Sequence, residues 1–182
     1  MAKKVKNLRM THTKQSLINA FFSLVNTKDF EKITIADITQ GARVNRATFY
    51  AHFEDKYDLI NTIMEQLATV SIKNYISEHM IFNQENISQL MLAVHDYYQE
   101  PNIECRRSYA GVAFPQMTEK ILTELHIVLA KSLNDIYTDK EKEVFVPIFA
   151  QMIHEGALQL VNTSKIEKEA LAKKIASFII GR

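Results

Sequence analysis

The sequence predicts an all-α protein, and three observations carry that prediction. Apolar residues recur three and four apart along most of the chain, as one buried stripe per helix requires. Only 4 Gly and 3 Pro occur in 182 residues. That is too few for the turns of a sandwich or barrel, and too few glycines for a doubly wound fold with phosphate loops. Strong capping residues also stand directly before several of the periodic stretches. About nine helices are expected and no strand, with enough length for one or two compact domains.

Residues 1–10 form a basic arm with Lys3, Lys4, Lys6 and Arg9. Leu17, Ile18, Phe21, Leu24 and Val25 follow at helical spacing, and that helix ends near Asn26-Thr27-Lys28-Asp29. Thr34 caps the next helix, where Asp37 completes a capping-box start. It lasts barely two turns before Gly41-Ala42-Arg43-Val44. Asn45 caps a third short helix running through Phe53. A fourth begins at Asp55 and runs past Leu59, Ile60, Ile63, Met64 and Leu67 toward residue 80. Asn86 caps a stretch holding Ile87, Leu90, Met91, Val94, Tyr97 and Tyr98. Pro101 starts a short segment with Cys105, Arg106 and Arg107, and Pro115 opens a long helix through Ile136. Thr138 with Glu141 reads as a capping box, yet Pro147 inside that helix would break a backbone bond at ~3 kcal/mol. A helix starting at Pro147 is therefore expected. Ser164 with Glu167 caps the last one, which carries Leu171, Ile175, Phe178 and Ile179.

The net charge is +1, but its distribution is uneven. Residues 1–56 hold 10 Lys/Arg against 5 Asp/Glu, and residues 57–182 hold 12 against 16. A small polyanion-binding module on a body with another task fits that split. A single Cys excludes an intrachain disulfide, no apolar run approaches a membrane span, and the N-terminus lacks a secretory pattern. A soluble cytoplasmic protein with no cofactor is expected. Carboxylate pairs, nucleophile motifs and metal-ligand pairs at helical spacing are not apparent, so an enzyme is not expected.

Two short helices joined by a tight turn and braced by a longer helix on each side make a helix-turn-helix, here residues 11–56. The second short helix offers Asn45, Arg46 and Thr48 at its N-terminal end, short or fork-shaped polar groups suited to base edges. Val44, Phe49 and Phe53 anchor its other side. Tyr50 and His52 near its end can reach phosphates, and Lys56 sits in the first turn of the next helix, where an anion is favoured. Each residue also has a plainer reading: Thr34 as a cap, Tyr50 as a packed aromatic, His52 as structural, Lys56 as surface charge.

The stretch Phe30-Glu31-Lys32-Ile33-Thr34-Ile35-Ala36-Asp37-Ile38, then Ala42-Arg43-Val44-Asn45-Arg46-Ala47-Thr48-Phe49-Tyr50-Ala51-His52-Phe53 with Lys56 and Leu59, closely resembles the DNA-binding domain of TetR/AcrR-family regulators. The resemblance covers about fifty contiguous residues and implies phosphate contacts from Thr34, Tyr50 and Lys56, with Arg46, Ala47 and Thr48 facing bases. Arg43 stands where the family usually has Gly, at ~1 kcal/mol if the position is left-handed. Asn45 replaces the commoner Ser, and Asp29 stands where Gly is frequent, as a residue that tolerates positive φ.

For residues 57–182 the resemblance lies mainly in helical layout. It implies a ligand-binding and dimerisation domain, with a pocket in the body and a dimer built from the last two helices. Val146-Pro147-Ile148-Phe149-Ala150-Gln151-Met152-Ile153 through Gly156-Ala157-Leu158 looks like the start of the dimer-forming penultimate helix. Met91, His95 and Tyr98 share one helix face, which Phe114, Met117 and Ile121, or Phe149 and Met152, could oppose across a pocket; an ordinary Met-rich core reads the same. Ile153, Gly156, Ala157 and Leu160 with Leu171, Ile175 and Phe178 are the expected dimer residues, since Gly156 and Ala157 in mid-helix allow close approach. The function so implied is a homodimeric repressor that leaves an inverted-repeat DNA operator when a small-molecule effector binds. Open alternatives are a metal-sensing regulator using His79, His95, His126 and His154, a redox sensor using Cys105, a transcriptional activator or co-activator, and an interaction protein that no longer binds DNA.

Overall fold

The structure is a computed structural model that describes residues 2–77, 79–99, 110–160 and 165–181, with side chains at 2–11, 110–113, 165 and 166 outside the description. Its helices are α1 (Ala2–Val25), α2 (Ile35–Gly41), α3 (Arg46–Tyr50), α4 (Lys56–Tyr75), α5 (Gln84–Gln99), α6 (Ala110–Ser132), α7 (Asp139–Gln159) and α8 (Lys165–Ile179), with one 3-10 turn at Phe30–Lys32. The described residues thus form eight α-helices and no strand. The expected segment at Pro101 with Cys105, Arg106 and Arg107, and the Ser164 cap, lie outside the described residues.

Several boundaries differ from the expectation. The backbone of the basic arm is part of α1. Ala2–Val25 holds no Gly or Pro, and Ala, Lys, Leu, Arg and Met are good helix formers. Helix α3 stops at Tyr50, because the N–H groups of His52 and Phe53 both turn back to the Phe49 carbonyl at 2.9 Å and close the last turn. Helix α4 ends at Tyr75, short of residue 80, although Ile76 and Met80 beyond it are still buried. The cap of α5 is Asn83, whose Oδ1 accepts from the Asn86 N–H at 2.9 Å, so the helix begins before Asn86.

Pro115 and Pro147 both lie inside helices instead of opening them. The Thr138–Glu141 capping box starts α7, with Glu141 Oε2 accepting from the Thr138 N–H at 2.8 Å. Pro147 forfeits only the bond to the Glu143 carbonyl, and both residues are exposed, so water replaces it.

Backbone packing divides the chain into two units, Met1–Met64 with Pro101–Pro115 and Glu65–Glu100 with Gln116–Arg182, the first boundary falling inside α4. The first is centred on Leu17, Phe21, Phe30, Ile33, Ile38, Phe49, Phe53, Leu59 and Ile60. In the second, α5 is buried nearly all round. From Ile87 to Tyr98 only Gln89 and Asp96 reach solvent, because α5 packs against both α7 and α8.

Candidate nucleic-acid interface

The interface is built on two caps and a tight turn. Thr34 Oγ1 accepts from the Asp37 N–H at 3.2 Å and donates to Asp37 Oδ2 at 2.8 Å, while that carboxylate accepts from the Thr34 N–H at 2.8 Å. Lys28 Nζ also reaches Asp37 Oδ2, at 2.6 Å. The Lys28 bond first, then the bonds from Thr34, hold the Asp37 carboxyl at about 2. Thr34 therefore spends its hydroxyl proton inside the cap.

At the end of α2, the Arg43 N–H meets the Gln40 carbonyl at 3.1 Å and the Val44 N–H meets the Thr39 carbonyl at 3.0 Å. That pair of bonds is a Schellman ending, which needs a left-handed residue after the cap. Arg43 supplies it at φ 56. Gly41 answers a different need: a Cβ there would lie 3.1 Å from Ala20 Cβ, where α1 and α2 pack. Asp29 has φ −55, so it does not take the positive φ allowed for it.

Asn45 then caps α3, its Oδ1 accepting from the Thr48 N–H at 2.7 Å and from Thr48 Oγ1 at 2.8 Å. Phe49 and Phe53 are buried, fixing the inner face of α3. Arg46, Ala47 and Tyr50 share the opposite, exposed face, next to exposed Arg43 and Asn45 and half-buried Thr48. Tyr50 is 55% exposed, and its ring stands edge-on to Phe49 with the centroids 5.6 Å apart. His52 is half-buried, and burial first, then the Lys14 charge, keep its ring below 6.5.

Lys56, expected at a phosphate, has partners within the first unit in this structure. Its Nζ donates to the carbonyls of Phe30 at 3.0 Å, Glu31 at 3.2 Å and Ile33 at 3.2 Å, and lies 4.3 Å from the centre of the Phe30 ring. Sequence reasoning missed this because backbone carbonyls carry no side-chain signature.

The second unit redistributes the other expected site residues. Met91, Met117 and Ile121 are fully buried; Phe149 and Met152 are half-buried, and Phe114 is 51% exposed. Tyr98 OH bridges Thr118 Oγ1 at 3.0 Å and His154 Nε2 at 2.9 Å, joining α5, α6 and α7. Among the described residues, His154 Nδ1 is buried 3.4 Å from Glu155 Oε1 without the geometry of a hydrogen bond, and Gln116 Oε1 is likewise buried without a partner. His95 turns away from this group. Its Nδ1 is 2.8 Å from Asp96 Oδ1 and 3.4 Å from Lys168 Nζ, and Tyr75 OH bonds the other Asp96 oxygen. Burial pushes the Asp96 carboxyl up, but Tyr75, His95 and Lys168 together bring it below its ordinary value. A cleft of about 860 Å³ lies elsewhere in this unit, lined among others by Thr69, Lys73, Met80, Glu124, Lys131 and Ile136. None of the expected ligand residues lines it.

The expected dimer residues differ in their exposure within the chain. Ile153, Gly156, Ala157 and Leu160 are buried within the chain, because Gly156 faces Met91 of α5 and Ile175 of α8. Only Phe178 of that set is well exposed, at 78%. Among the described residues no group of three or more His, Cys, Asp or Glu is placed to hold a metal ion, so His79, His95, His126 and His154 do not converge. No helix among them is long and apolar enough to cross a membrane.

Residues 17–63 match the family model of bacterial regulatory proteins of the tetR family. Over 59 residues the chain is 37% identical to the uncharacterized HTH-type transcriptional regulator YxbF of Bacillus subtilis (strain 168), a match covering 32% of this chain and 16% of that protein. Over 53 residues it is 32% identical to the HTH-type dhaKLM operon transcriptional activator DhaS of Lactococcus lactis subsp. lactis (strain IL1403), covering 29% and 28%. The matched segments thus span 16% and 28% of the two curated relatives. Across 92% of this chain and 95% of the other, the fold resembles the TetR family repressor AlkX from Dietzia sp. strain DQ12-45-1b, implicated in biodegradation of n-alkanes, at 18% identity and a TM-score of 0.54.

Proposed function

We propose that this chain, whose residues 17–63 match the family model of bacterial regulatory proteins of the tetR family, is a transcriptional repressor that binds an inverted-repeat operator as a homodimer and is released by a small organic effector. One observation carries the DNA reading. The capped helix α3 turns Arg46, Ala47 and Tyr50, flanked by Arg43 and Asn45, to solvent while Phe49 and Phe53 lock its other side into the core. Such a helix can lie in a major groove, with Arg46 and the Asn45 amide near base edges and Tyr50 near phosphates.

Apolar side chains left exposed on α7 and α8 support the dimer. Val144 is 57% exposed, Ile148 48% and Phe178 78%, on the two helices that the family resemblance assigns to pairing. Two-fold pairing makes the operator palindromic. For the effector, the buried apolar surroundings of Met91, Met117 and Ile121, with polar tips at Tyr98 and His154, favour an apolar or aromatic molecule bearing a polar group that His154 Nδ1 can meet. The chain's similarity to the dhaKLM operon activator supports a second reading, activation through the same module.

Selection of bound sequences from a random DNA pool tests the proposal, followed by titration at several salt concentrations. A palindromic consensus bound with a steep salt slope supports it. Tyr50→Phe should weaken all sequences alike, whereas Arg46→Ala should relax one or two base pairs per half-site by roughly 1–3 kcal/mol each. Binding without sequence preference, unchanged by Arg46→Ala, would sink the reading.

A further inference from the structure

We propose that the cleft between the C-terminal halves of α4 and α6 is a second ligand site, one that takes a free aliphatic carboxylate. It is separate from the Tyr98–His154 group, and it does not depend on the DNA-binding reading. Its volume of about 860 Å³ falls in the range of sites that enclose small organic molecules. The Thr69 hydroxyl donates to Glu124 Oε1 at 2.6 Å, which sets the two helices side by side. From that bond both walls run toward their helix ends. Ile72, Lys73 and Ile76 follow Thr69 on one side, and Ile127, Val128 and Lys131 follow Glu124 on the other.

Two features give the cleft a ligand's chemistry. The first is apolar surface left in water. Ile81, Ile127 and Ile136 are all exposed and all line this one cleft, beside buried Ile72, Ile76 and Met80. A hydrocarbon chain laid on such a gathered patch recovers the free energy that its exposure costs. The second feature is charge. Each wall carries one ammonium, Lys73 on α4 and Lys131 on α6, and among the described residues neither forms an ion pair. Of the two acids in the lining, Glu124 stands back along the wall, bonded to Thr69, and Asp135 lies on the turn that leaves α6. A carboxylate head between Lys73 and Lys131, with its tail on the isoleucines, answers both features. An alcohol would leave the ammoniums without a counter-charge, and an alkylammonium would meet like charge. Lysines in a last helical turn also offset its carbonyl end, and both lysines hold that position. That duty asks for a cation at each helix end; it does not ask that both border the same apolar cleft.

Calorimetric titration of the full chain, without DNA, with octanoate, octanol and octylammonium reads the head group at constant tail length. Octanoate should bind one to one, octanol roughly five- to tenfold more weakly, and octylammonium more weakly still. Decanoate should bind roughly tenfold tighter than octanoate, as two more buried methylenes require. Replacing both lysines, Lys73→Gln with Lys131→Gln, should bring octanoate down to the level of octanol while octanol itself is unchanged. A role confined to the helix ends would not produce that split. Ile127→Asp, at an exposed position, should weaken octanoate and octanol alike, and Tyr98→Phe should change neither. Circular dichroism checks that each variant is folded. In wild type, octanoate should shift the methyl resonances of Ile127 and Ile136, which locates the site without any substitution. Four results would overturn the proposal: no saturable binding of octanoate or decanoate, equal affinity for octanoate and octylammonium, methyl shifts confined to other isoleucines, or binding lost in Tyr98→Phe but kept in the double lysine variant.

Discussion

Replacing Gly156 separates two accounts of the second unit. A Cβ at this position would lie 3.3 Å from Ile175 Cγ2 and 3.3 Å from Met91 Sδ, with Met91 Cε at 3.6 Å. Gly156→Ala gains about 1 kcal/mol of helix propensity. Against that gain, both neighbours must retreat by a few tenths of an ångström. Met91 is unbranched and Ile175 is only half-buried, so each can move, and the net change should stay within about 0.5 kcal/mol of zero. Gly156→Leu adds three more carbons to a space already filled by α5 and α8. Overpacking of that kind should remove roughly 2–3 kcal/mol. For a chain of this size, the midpoint of thermal unfolding should drop by about 5–10 °C. Far-ultraviolet circular dichroism reads the midpoint, and sedimentation reads the oligomeric state of the same samples. In a Met91→Ala background the Leu side chain gains room, so the two changes should be non-additive by about 0.5–3 kcal/mol. A Gly156→Leu protein that melts like wild type but sediments as a monomer would refute the reasoning and put Gly156 at a subunit interface.

Four further outcomes follow from the geometry. Arg43→Gly releases a left-handed residue at φ 56 and should raise stability by up to about 1 kcal/mol, while removing one cation from the DNA face; urea unfolding and the salt slope check both. Thr34→Ala opens the α2 cap and should cost about 1 kcal/mol, read by the same unfolding experiment. Tyr98→Phe removes the hydroxyl that bonds half-buried Thr118 Oγ1 and buried His154 Nε2 and should cost about 1–3 kcal/mol, more than a surface Tyr50→Phe change in the same assay. Burial holds the His52 and His154 rings below 6.5. The unfolded chain therefore binds more protons than the native one just under pH 6.5, and stability should fall as pH drops through that range and flatten below the native values. Urea titrations from pH 8 to pH 5 check the sign, and His154→Gln should shrink the effect. The Asp37 contribution is present above its ordinary value near 3.8 and is lost only as pH falls toward about 2.

The helix-turn-helix was legible because its instructions are local. Thr34 and Asp37 stand three residues apart, as do Asn45 and Thr48, and each pair forms its cap without help from distant residues. The left-handed position at Arg43 follows equally from the tight turn between two capped helices. Lys56 was legible as a residue and illegible as a contact. Its partners are carbonyls 23 to 26 positions away, and every residue type owns a carbonyl. Helix boundaries failed where the deciding quantity was exposure. Pro147 argues against a helix only if the Glu143 carbonyl would be left dry, and both residues face water.

The body was harder to read because its signals state that something is close without stating what. Gly156 and Ala157 in mid-helix announce a near neighbour, but a second copy of the chain and another helix of the same chain ask for the same small residues. The structure supplies the missing term: Gly156 meets Met91 and Ile175, and with Ile153, Ala157 and Leu160 it is interior. The same ambiguity covers Met91, His95 and Tyr98, which share a helix face at positions i, i+4 and i+7. Shared phase places them on one side of α5, yet α5 is covered on nearly every side. His95 is therefore free to pair with Asp96 near Lys168 while Tyr98 pairs with Thr118 and His154. Periodicity fixes direction on a helix with one dry face; on a helix that is dry all round, polar side chains are sorted by the partners that neighbouring helices bring.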